Sequence, residues 1–149
     1  AIIIEPIQGT AGNIVPPSGF LREVRDVASE YGALLIADEM ITGFGRTGKT
    51  FGCTHDDVAP DIMTVGKGMA GGFPVSAVIS TDEIMAAKPF SLPSASSSSY
   101  GGNPLAATAV LVTIRLSTPR GANRLRLETV SEPPAGTDKV QLSAIPLSR

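Results

Sequence analysis

The stretch ALLIADEMITGFGRTGKT, residues 33–50, joins a short apolar run to a glycine-rich segment. Its first five residues, ALLIA (33–37), predict a buried β-strand, and Asp38 follows directly at the strand end. Residues 43–50 match the spacing G-x-x-x-x-G-K-T, which is typical of a loop that binds nucleotide phosphates. The stretch therefore predicts an α/β protein with a ligand at the end of this strand, and an ATPase is the first possibility to test.

The residues around the glycine-rich segment do not suit a phosphate-binding loop. Such a loop follows its strand directly, and Gly-Lys-Thr opens a helix whose free amide groups bind the anion. Here residues 39–42 separate strand and loop, and Gly52 and Pro60 disfavour a helix after Thr50. The magnesium-binding carboxylate should also stand on a different strand. We therefore do not expect a P-loop NTPase.

A strand and a helix precede this stretch. AIIIE (1–5) predicts a first buried strand, and apolar side chains at helical spacing over residues 21–31 predict a helix capped by Ser18. A strand, a helix and a strand in this order form a parallel crossover. The carboxylates Glu5 and Asp38 should therefore emerge at the same sheet edge, which is where open α/β sheets bind ligands.

Further strands and helices are predicted downstream. IMTVG (62–66) predicts a third strand, and PVSAVIS (74–80) predicts a fourth, which the short link between them makes antiparallel. Thr81 is expected to cap a short helix, and Asn103 to begin the longer helix LAATAVLVTI (105–114). The predicted fold class is α/β, with a mixed, mostly parallel sheet and flanking helices.

Composition favours a small-molecule ligand. The 149 residues carry a net charge of −2, with a pI of about 5.3, which gives no basic field for nucleic acid or an anionic membrane. No apolar run approaches the ~18–20 residues that span a bilayer. The single cysteine, Cys53, suits a reducing compartment, so we expect a cytoplasmic protein. Cys53 and His55 have no metal-ligand partners at useful spacing, and no metal site is predicted.

Asp38 and Lys67 together suit one cofactor. A carboxylate that ends one strand and a lysine in a glycine-rich loop after the next could hold opposite ends of the same molecule. Pyridoxal phosphate (PLP) needs such a pair. Its lysine forms a Schiff base, and an acidic partner keeps the pyridine nitrogen protonated so that the ring can accept electrons.

Five motifs in the chain strongly resemble the class III aminotransferases and stand in the same order. They are EPIQG (5–9), DEMITGFGRTG (38–48), PDI (60–62), GKG (66–68) and YGGNP (100–104). The resemblance covers about residues 1–112, which are similar to part of the large domain of fold-type I PLP enzymes. It implies a PLP-dependent aminotransferase that moves an amino group between a small-molecule amino donor and a 2-oxo acid. It also implies a homodimer, because the family builds its cofactor site across two subunits.

The resemblance implies a role for each site residue. Lys67 is the catalytic Schiff-base lysine, Asp38 is the partner of the pyridine nitrogen, and Met40 packs on the cofactor ring. Ser99 stands where the family donates a hydroxyl to the cofactor phosphate of the other subunit. Glu5, predicted at the same sheet edge, is also assigned to the cofactor site. The alternatives are a solvated loop lysine, a turn aspartate, a core methionine and a serine in a flexible linker.

Two departures from the family pattern bear on the substrate. In the ornithine and 4-aminobutyrate enzymes the first motif is followed by a Glu that pairs with a switching arginine, and Thr10 takes that place here. A glutamate-style dual-substrate switch is therefore not expected. Ile41 stands where those relatives carry Gln, as it does in many relatives that use pyruvate or diamines. This favours an omega-type substrate range.

Residues 113–149 lack the pattern of the long helix that the family resemblance implies there. They contain four prolines and no sustained helical or strand period, so a disordered tail is expected. The chain starts directly in a strand and lacks the family's phosphate-binding glycine loop and substrate arginine, so we expect a segment of a longer protein that is inactive alone. A non-catalytic truncated chain is thus one alternative function, and a PLP-dependent aminomutase or racemase is another.

Overall fold

The computed structural model of the chain describes residues 1–93, 95 and 98–117. In that part of the chain the strands and α-helices are β1 (Ile2–Ile4), α1 (Phe20–Glu30), β2 (Leu35–Asp38), β3 (Ile62–Val65), β4 (Ala77–Ser80), α2 (Asp82–Ala86) and α3 (Pro104–Ser117). Two short 3-10 helices, Gly52–Asp56 and Lys67–Ala70, stand in the loops before and after β3.

The four strands form one sheet in the order β1-β2-β3-β4. β1 pairs with β2 and β2 pairs with β3 in parallel, whereas β3 pairs with β4 antiparallel. Isoleucines at 3, 36 and 62 stand side by side across the first three strands. The prediction of a mixed, mostly parallel sheet with an antiparallel fourth strand is confirmed.

The core lies on one face of the sheet. Side chains alternate between the two faces along a strand, and the face that carries Leu35 and Val65 packs against α1 and α3. Both of these side chains are completely buried. On the opposite face Ile3 is 66% exposed and Val78 is 39% exposed. α1 and α3 therefore cover the same side of the sheet.

The prediction that Ser18 caps α1 is wrong. The N-cap is Gly19, with φ 86°, and no cap residue side chain bonds the helix. Instead the carboxylate of Asp56 accepts hydrogen bonds from the N–H groups of Gly19 (3.0 Å) and Leu21 (3.1 Å). An acidic side chain 37 residues downstream of the cap thus stabilises the start of the helix.

The segment after Thr50 also differs from the prediction. A 3-10 helix forms over Gly52–Asp56, where the sequence predicts no helix. It starts after the extended residue Phe51, so Gly-Lys-Thr does not open it. Lys49 donates to the carbonyl oxygen of Thr54 at 3.0 Å. Neither this 3-10 helix nor the contact of Lys49 with Thr54 provides the row of free amide groups that a phosphate-binding loop presents.

The two predicted caps farther along the chain are confirmed. Thr81 Oγ1 accepts from the N–H of Ile84 at 3.4 Å, and Asn103 Oδ1 accepts from the N–H of Leu105 at 2.9 Å. α3 continues to Ser117, past the predicted domain boundary at residue 112. The rest of the predicted tail, residues 118–149, lies outside the described residues.

Asp61 joins α1 to the sheet. Its Oδ2 accepts from Arg25 Nη1 at 2.6 Å and from the N–H of Leu35 at 2.7 Å. Burial acts to raise the pKa of Asp61, but the hydrogen bonds from Arg25 and Leu35 and the charge of Arg25 outweigh it and hold this pKa below its ordinary value of 3.8. A carboxylate with a lowered pKa stabilises the fold fully only above its unfolded-state pKa.

We expect Asp61→Asn to reduce the free energy of unfolding at pH 7 by about 1–2 kcal/mol, since it removes a hydrogen-bonded charge that is partly exposed. The loss should shrink as the pH falls below about 4, because the wild-type carboxylate is then protonated too. Urea unfolding of the full-length protein at pH 7 and pH 3.5 measures this. Asp26→Asn, at an exposed position, is the control, and an equal effect of Asp61→Asn at both pH values would contradict the account.

Candidate active site

Three predicted site residues stand where parallel strands end. Glu5 follows β1, Asp38 is the last residue of β2, and Lys67 comes two residues after β3. Parallel strands have their carboxyl ends at one edge of the sheet, where ligands bind in open α/β folds. In the register, Asp38 pairs with Thr64, so Lys67 stands three residues beyond the direct neighbour of Asp38. The structure therefore brings these three residues to one edge.

The carboxylate of Asp38 is held in a local turn. Its Oδ1 accepts from the N–H of Met40 at 3.0 Å, and the residue is half-buried. Within the described ranges Oδ2 has no hydrogen-bond partner. One oxygen thus fixes the orientation of the side chain, and the other is available to a ligand.

Lys67 has an unusual backbone conformation. Its φ is 45°, in the left-handed region, which costs a residue with a Cβ roughly 1–2 kcal/mol. The residue is exposed and opens the 3-10 helix Lys67–Ala70. In the part of the chain that the structure describes, its Nζ has no hydrogen-bond or ion-pair partner. Backbone strain of this kind clusters at functional sites, so the conformation marks Lys67 as a candidate functional residue.

Met40 packs against the residue before this lysine. A Cβ built on Gly66 would lie 2.6 Å from Met40 Cε and 3.3 Å from the carbonyl oxygen of Val75. A side chain at position 66 would therefore require the end of the Met40 side chain to move. Met40 therefore connects the segment after β2 to the loop that presents Lys67, which places three of the five predicted site residues in one neighbourhood.

Glu5 has a partner within its own loop. Its Oε2 accepts from the N–H of Gly9 at 2.9 Å. A Cβ at Gly9 would lie 2.5 Å from Ile41 Cδ1, so the loop after β1 folds closely against the segment after β2. In this structure Glu5 holds the loop in place, and Thr10 stands exposed at its tip.

Glu39 is a buried residue of the site region that sequence reasoning missed. It is 0% exposed and accepts from the N–H groups of Gly52 (2.8 Å) and Cys53 (2.7 Å) and from the hydroxyl of Thr42. Burial, together with the negative charge of Glu39, raises the pKa of the Cys53 thiol above its usual range, so the thiol stays neutral. The sequence does show an acidic residue directly after Asp38. Its two backbone donors, however, lie 13 and 14 residues farther along the chain, so the sequence does not reveal them.

A cavity of about 690 Å³ lies beside the site. Pro6, Ile41 and Arg46 contribute to its wall, and so does His55, whose Nε2 is 3.0 Å from Thr47 Oγ1. Neither Asp38 nor Lys67 lines it. The cavity is therefore distinct from the sheet edge where the predicted cofactor residues meet.

Comparison with known proteins decides which family this arrangement belongs to. The family model described as Aminotransferase class-III matches residues 1–122. The chain belongs to the class III aminotransferases. The family resemblance predicted from the five sequence motifs is confirmed.

Solved aminotransferase structures show the same fold. Ornithine aminotransferase from Plasmodium yoelii is 44% identical and covers 77% of this chain, with a TM-score of 0.71. An (S)-enantioselective omega-transaminase from Thermomicrobium roseum is 39% identical and covers 76%, with a TM-score of 0.68. Ornithine aminotransferase from Toxoplasma gondii, whose structure shows partial occupancy of PLP at the active site, is 38% identical and covers 76%, with a TM-score of 0.68. This chain spans 30%, 26% and 27% of those three proteins, respectively.

Class III aminotransferases are PLP enzymes, and the sheet edge of this chain offers groups that suit the cofactor. The Lys67 amine and one oxygen of Asp38 have no partner in the described part of the chain. The buried hydroxyl of Thr64, on the same sheet face as Asp38, also has none. Buried polar groups normally have hydrogen-bond partners, so the unpaired Thr64 hydroxyl fits the binding of a polar ligand. The Lys67 amine is exposed and therefore accessible to the same ligand.

Ser99 is not part of this group. It lies on an exposed turn before α3, and no hydrogen bond between described residues joins it to Glu5, Asp38, Met40 or Lys67. Its predicted contact with the cofactor of a second subunit stays a prediction.

The described residues contain neither a metal-binding cluster nor a membrane-spanning helix. Over 1–93, 95 and 98–117 no group of three or more His, Cys, Asp or Glu side chains could hold a metal ion. No helix in those ranges combines the length and the hydropathy that a bilayer span requires.

Proposed function

We propose that the full-length protein is a PLP-dependent aminotransferase that moves an amino group from a small-molecule donor to a 2-oxo acid. The observation that carries the proposal is the placement of Asp38 and Lys67 at the same edge of the sheet. They stand at the ends of adjacent parallel strands, and each has a polar atom without a partner among the described residues. Membership of the class III family supports the cofactor.

Each residue has a chemical task in this proposal. PLP, when bound, supplies a ring that accepts electrons from the substrate. Lys67 would hold the cofactor covalently through Nζ and, once the substrate amine has displaced it, would carry a proton from the substrate carbon. Asp38 would keep the proton on the pyridine nitrogen, with the Met40 N–H fixing its carboxylate. Met40 would pack against the ring.

We also propose an omega-type substrate range. Thr10 occupies the place of the glutamate that pairs with a switching arginine in relatives, and the apolar Ile41 contacts the loop after β1. Donors that carry their amine away from a carboxylate suit a site without that switch. The homodimer with Ser99 near the neighbouring cofactor, and a cytoplasmic location, remain part of the proposal.

We expect the full-length protein, loaded with PLP, to carry out two separable half-reactions. A diamine or ornithine added alone should yield about one equivalent of deaminated product per site and then stop. Pyruvate added afterwards should restart turnover and yield alanine. Product analysis by mass spectrometry measures both steps. A racemase or an aminomutase would instead convert the donor continuously without a 2-oxo acid, and that outcome would contradict the proposal.

A further inference from the structure

Glu39 stands between two proposed cofactor residues, Asp38 and Met40, but its side chain is buried in the protein interior. Among the described residues it is the only charged side chain that is fully buried. An unpaired buried carboxylate would be strongly destabilising, but this one accepts three hydrogen bonds. Such a satisfied polar cluster is rigid, because every donor and acceptor has a fixed partner.

The main chain of Glu39 is bound as firmly as its side chain. Its N–H donates to the carbonyl oxygen of Thr64 at 2.9 Å, and its own carbonyl oxygen accepts from the N–H of Gly43 at 3.0 Å. The first of these bonds continues the pairing of β2 with β3, the strand that leads to Lys67. The main chain of Glu39 therefore links the end of β2 to β3, which leads to Lys67, and to the loop after Thr42.

The segment that begins at Gly52 packs closely around the Glu39 carboxylate. A Cβ on Gly52 would lie 2.8 Å from Pro6 Cβ and 2.9 Å from Thr42 Cβ, so the N–H of residue 52 reaches Glu39 only because residue 52 is a glycine. Pro6 belongs to the loop that follows β1. The carboxylate thus sits where the segments after β1 and β2 and the 3-10 helix Gly52–Asp56 converge.

We infer that Glu39 is a positioning residue of the active site, which sets the placement of Asp38 relative to Lys67 through this buried network. The inference rests on the proposed function, because it concerns the geometry of that same site. A residue that only stabilised the fold would change the unfolding temperature and leave the bound cofactor unaffected. A positioning residue also changes the absorption of the cofactor and kcat.

The test compares Glu39→Gln with Asp61→Asn in the full-length protein. Glutamine keeps one acceptor oxygen and places an NH₂ group where an acceptor is needed. Asp61→Asn weakens the contacts with Arg25 and Leu35 at the other end of β2 and shares no hydrogen-bond partner with Glu39. We expect Glu39→Gln to shift the visible absorption maximum of bound PLP and to lower kcat at least about tenfold, with little change in KM for the donor. Asp61→Asn should lower the thermal stability and show neither of these effects.

Thr42→Val keeps the inference testable if Glu39→Gln does not fold. It removes one of the three donors and leaves the charge and both N–H bonds in place. We expect a smaller shift of the visible absorption maximum of bound PLP, in the same direction, and a kcat about two- to threefold lower than that of the wild type. Wild-type spectra and kcat in whichever variant folds would overturn the positioning role. A wild-type protein that neither binds PLP nor transfers amino groups would instead overturn the proposed function.

Discussion

Replacement of Lys67 by alanine is expected to lower kcat/KM for amino transfer by at least about a thousandfold. The variant loses the amine that would hold the cofactor and the base that would move the substrate proton. Alanine at position 67 keeps the Cβ of the loop after β3, and the side chain removed is exposed and contacts no partner within residues 1–93, 95 and 98–117. Steady-state assays of the full-length protein with a diamine and pyruvate measure the loss.

Two further measurements separate this loss from damage to the fold. A small primary amine such as methylamine, added to Lys67→Ala, should restore part of the proton transfer, because it can take over the role of the missing base. Lys49→Ala is the matched control, since Lys49 is exposed and its one hydrogen bond to a described residue goes to the carbonyl oxygen of Thr54. We expect less than about a twofold change there. Activity of Lys67→Ala within tenfold of wild type would exclude the assigned role.

Replacement of Asp38 by asparagine should leave cofactor binding possible but slow the proton-transfer step at least about a hundredfold, a loss of ~2.7 kcal/mol in transition-state stabilisation. A carboxylate near a pyridinium gains about 4 kcal/mol at 4 Å and an effective dielectric constant of 20. The asparagine oxygen can still accept the bond from the Met40 N–H, so the turn geometry is preserved while the charge is lost.

The rate with a donor deuterated at the reacting carbon reports on this step. We expect a larger kinetic isotope effect in Asp38→Asn than in wild type, because proton transfer becomes rate-limiting. Asp57→Asn makes the same chemical change at an exposed residue with φ 51°, a conformation that asparagine tolerates, and should be neutral. Near-normal turnover of Asp38→Asn would show that Asp38 is only a turn residue.

The sequence predicts the parts of the site that depend on strand order. Short apolar runs mark β1, β2 and β3, and parallel pairing then requires Glu5, Asp38 and Lys67 to share an edge. No packing detail is needed for that conclusion. The caps at Thr81 and Asn103 are predictable for a similar reason, since their partners lie within three residues in the chain.

Features that depend on distant partners were not predictable. Asp56 caps α1 in place of Ser18, because the fold brings a carboxylate from the 3-10 helix Gly52–Asp56 to the helix start. Glu39 looks like a second strand-end acid in the sequence, and only tertiary structure shows its backbone donors. The left-handed conformation of Lys67 also has no sequence signal, because strain of this kind is imposed by the surrounding loop.

The central claim, that Lys67 carries the cofactor, is tested most directly by trapping the bond. The full-length protein is incubated with PLP, reduced with borohydride and digested, and the peptides are analysed by mass spectrometry. We predict a pyridoxyl phosphate mass on the peptide that contains Lys67, with loss of the yellow colour on reduction. The same mass on Lys49 instead, or no labelled lysine in a protein that binds PLP and transfers amino groups, would contradict the account.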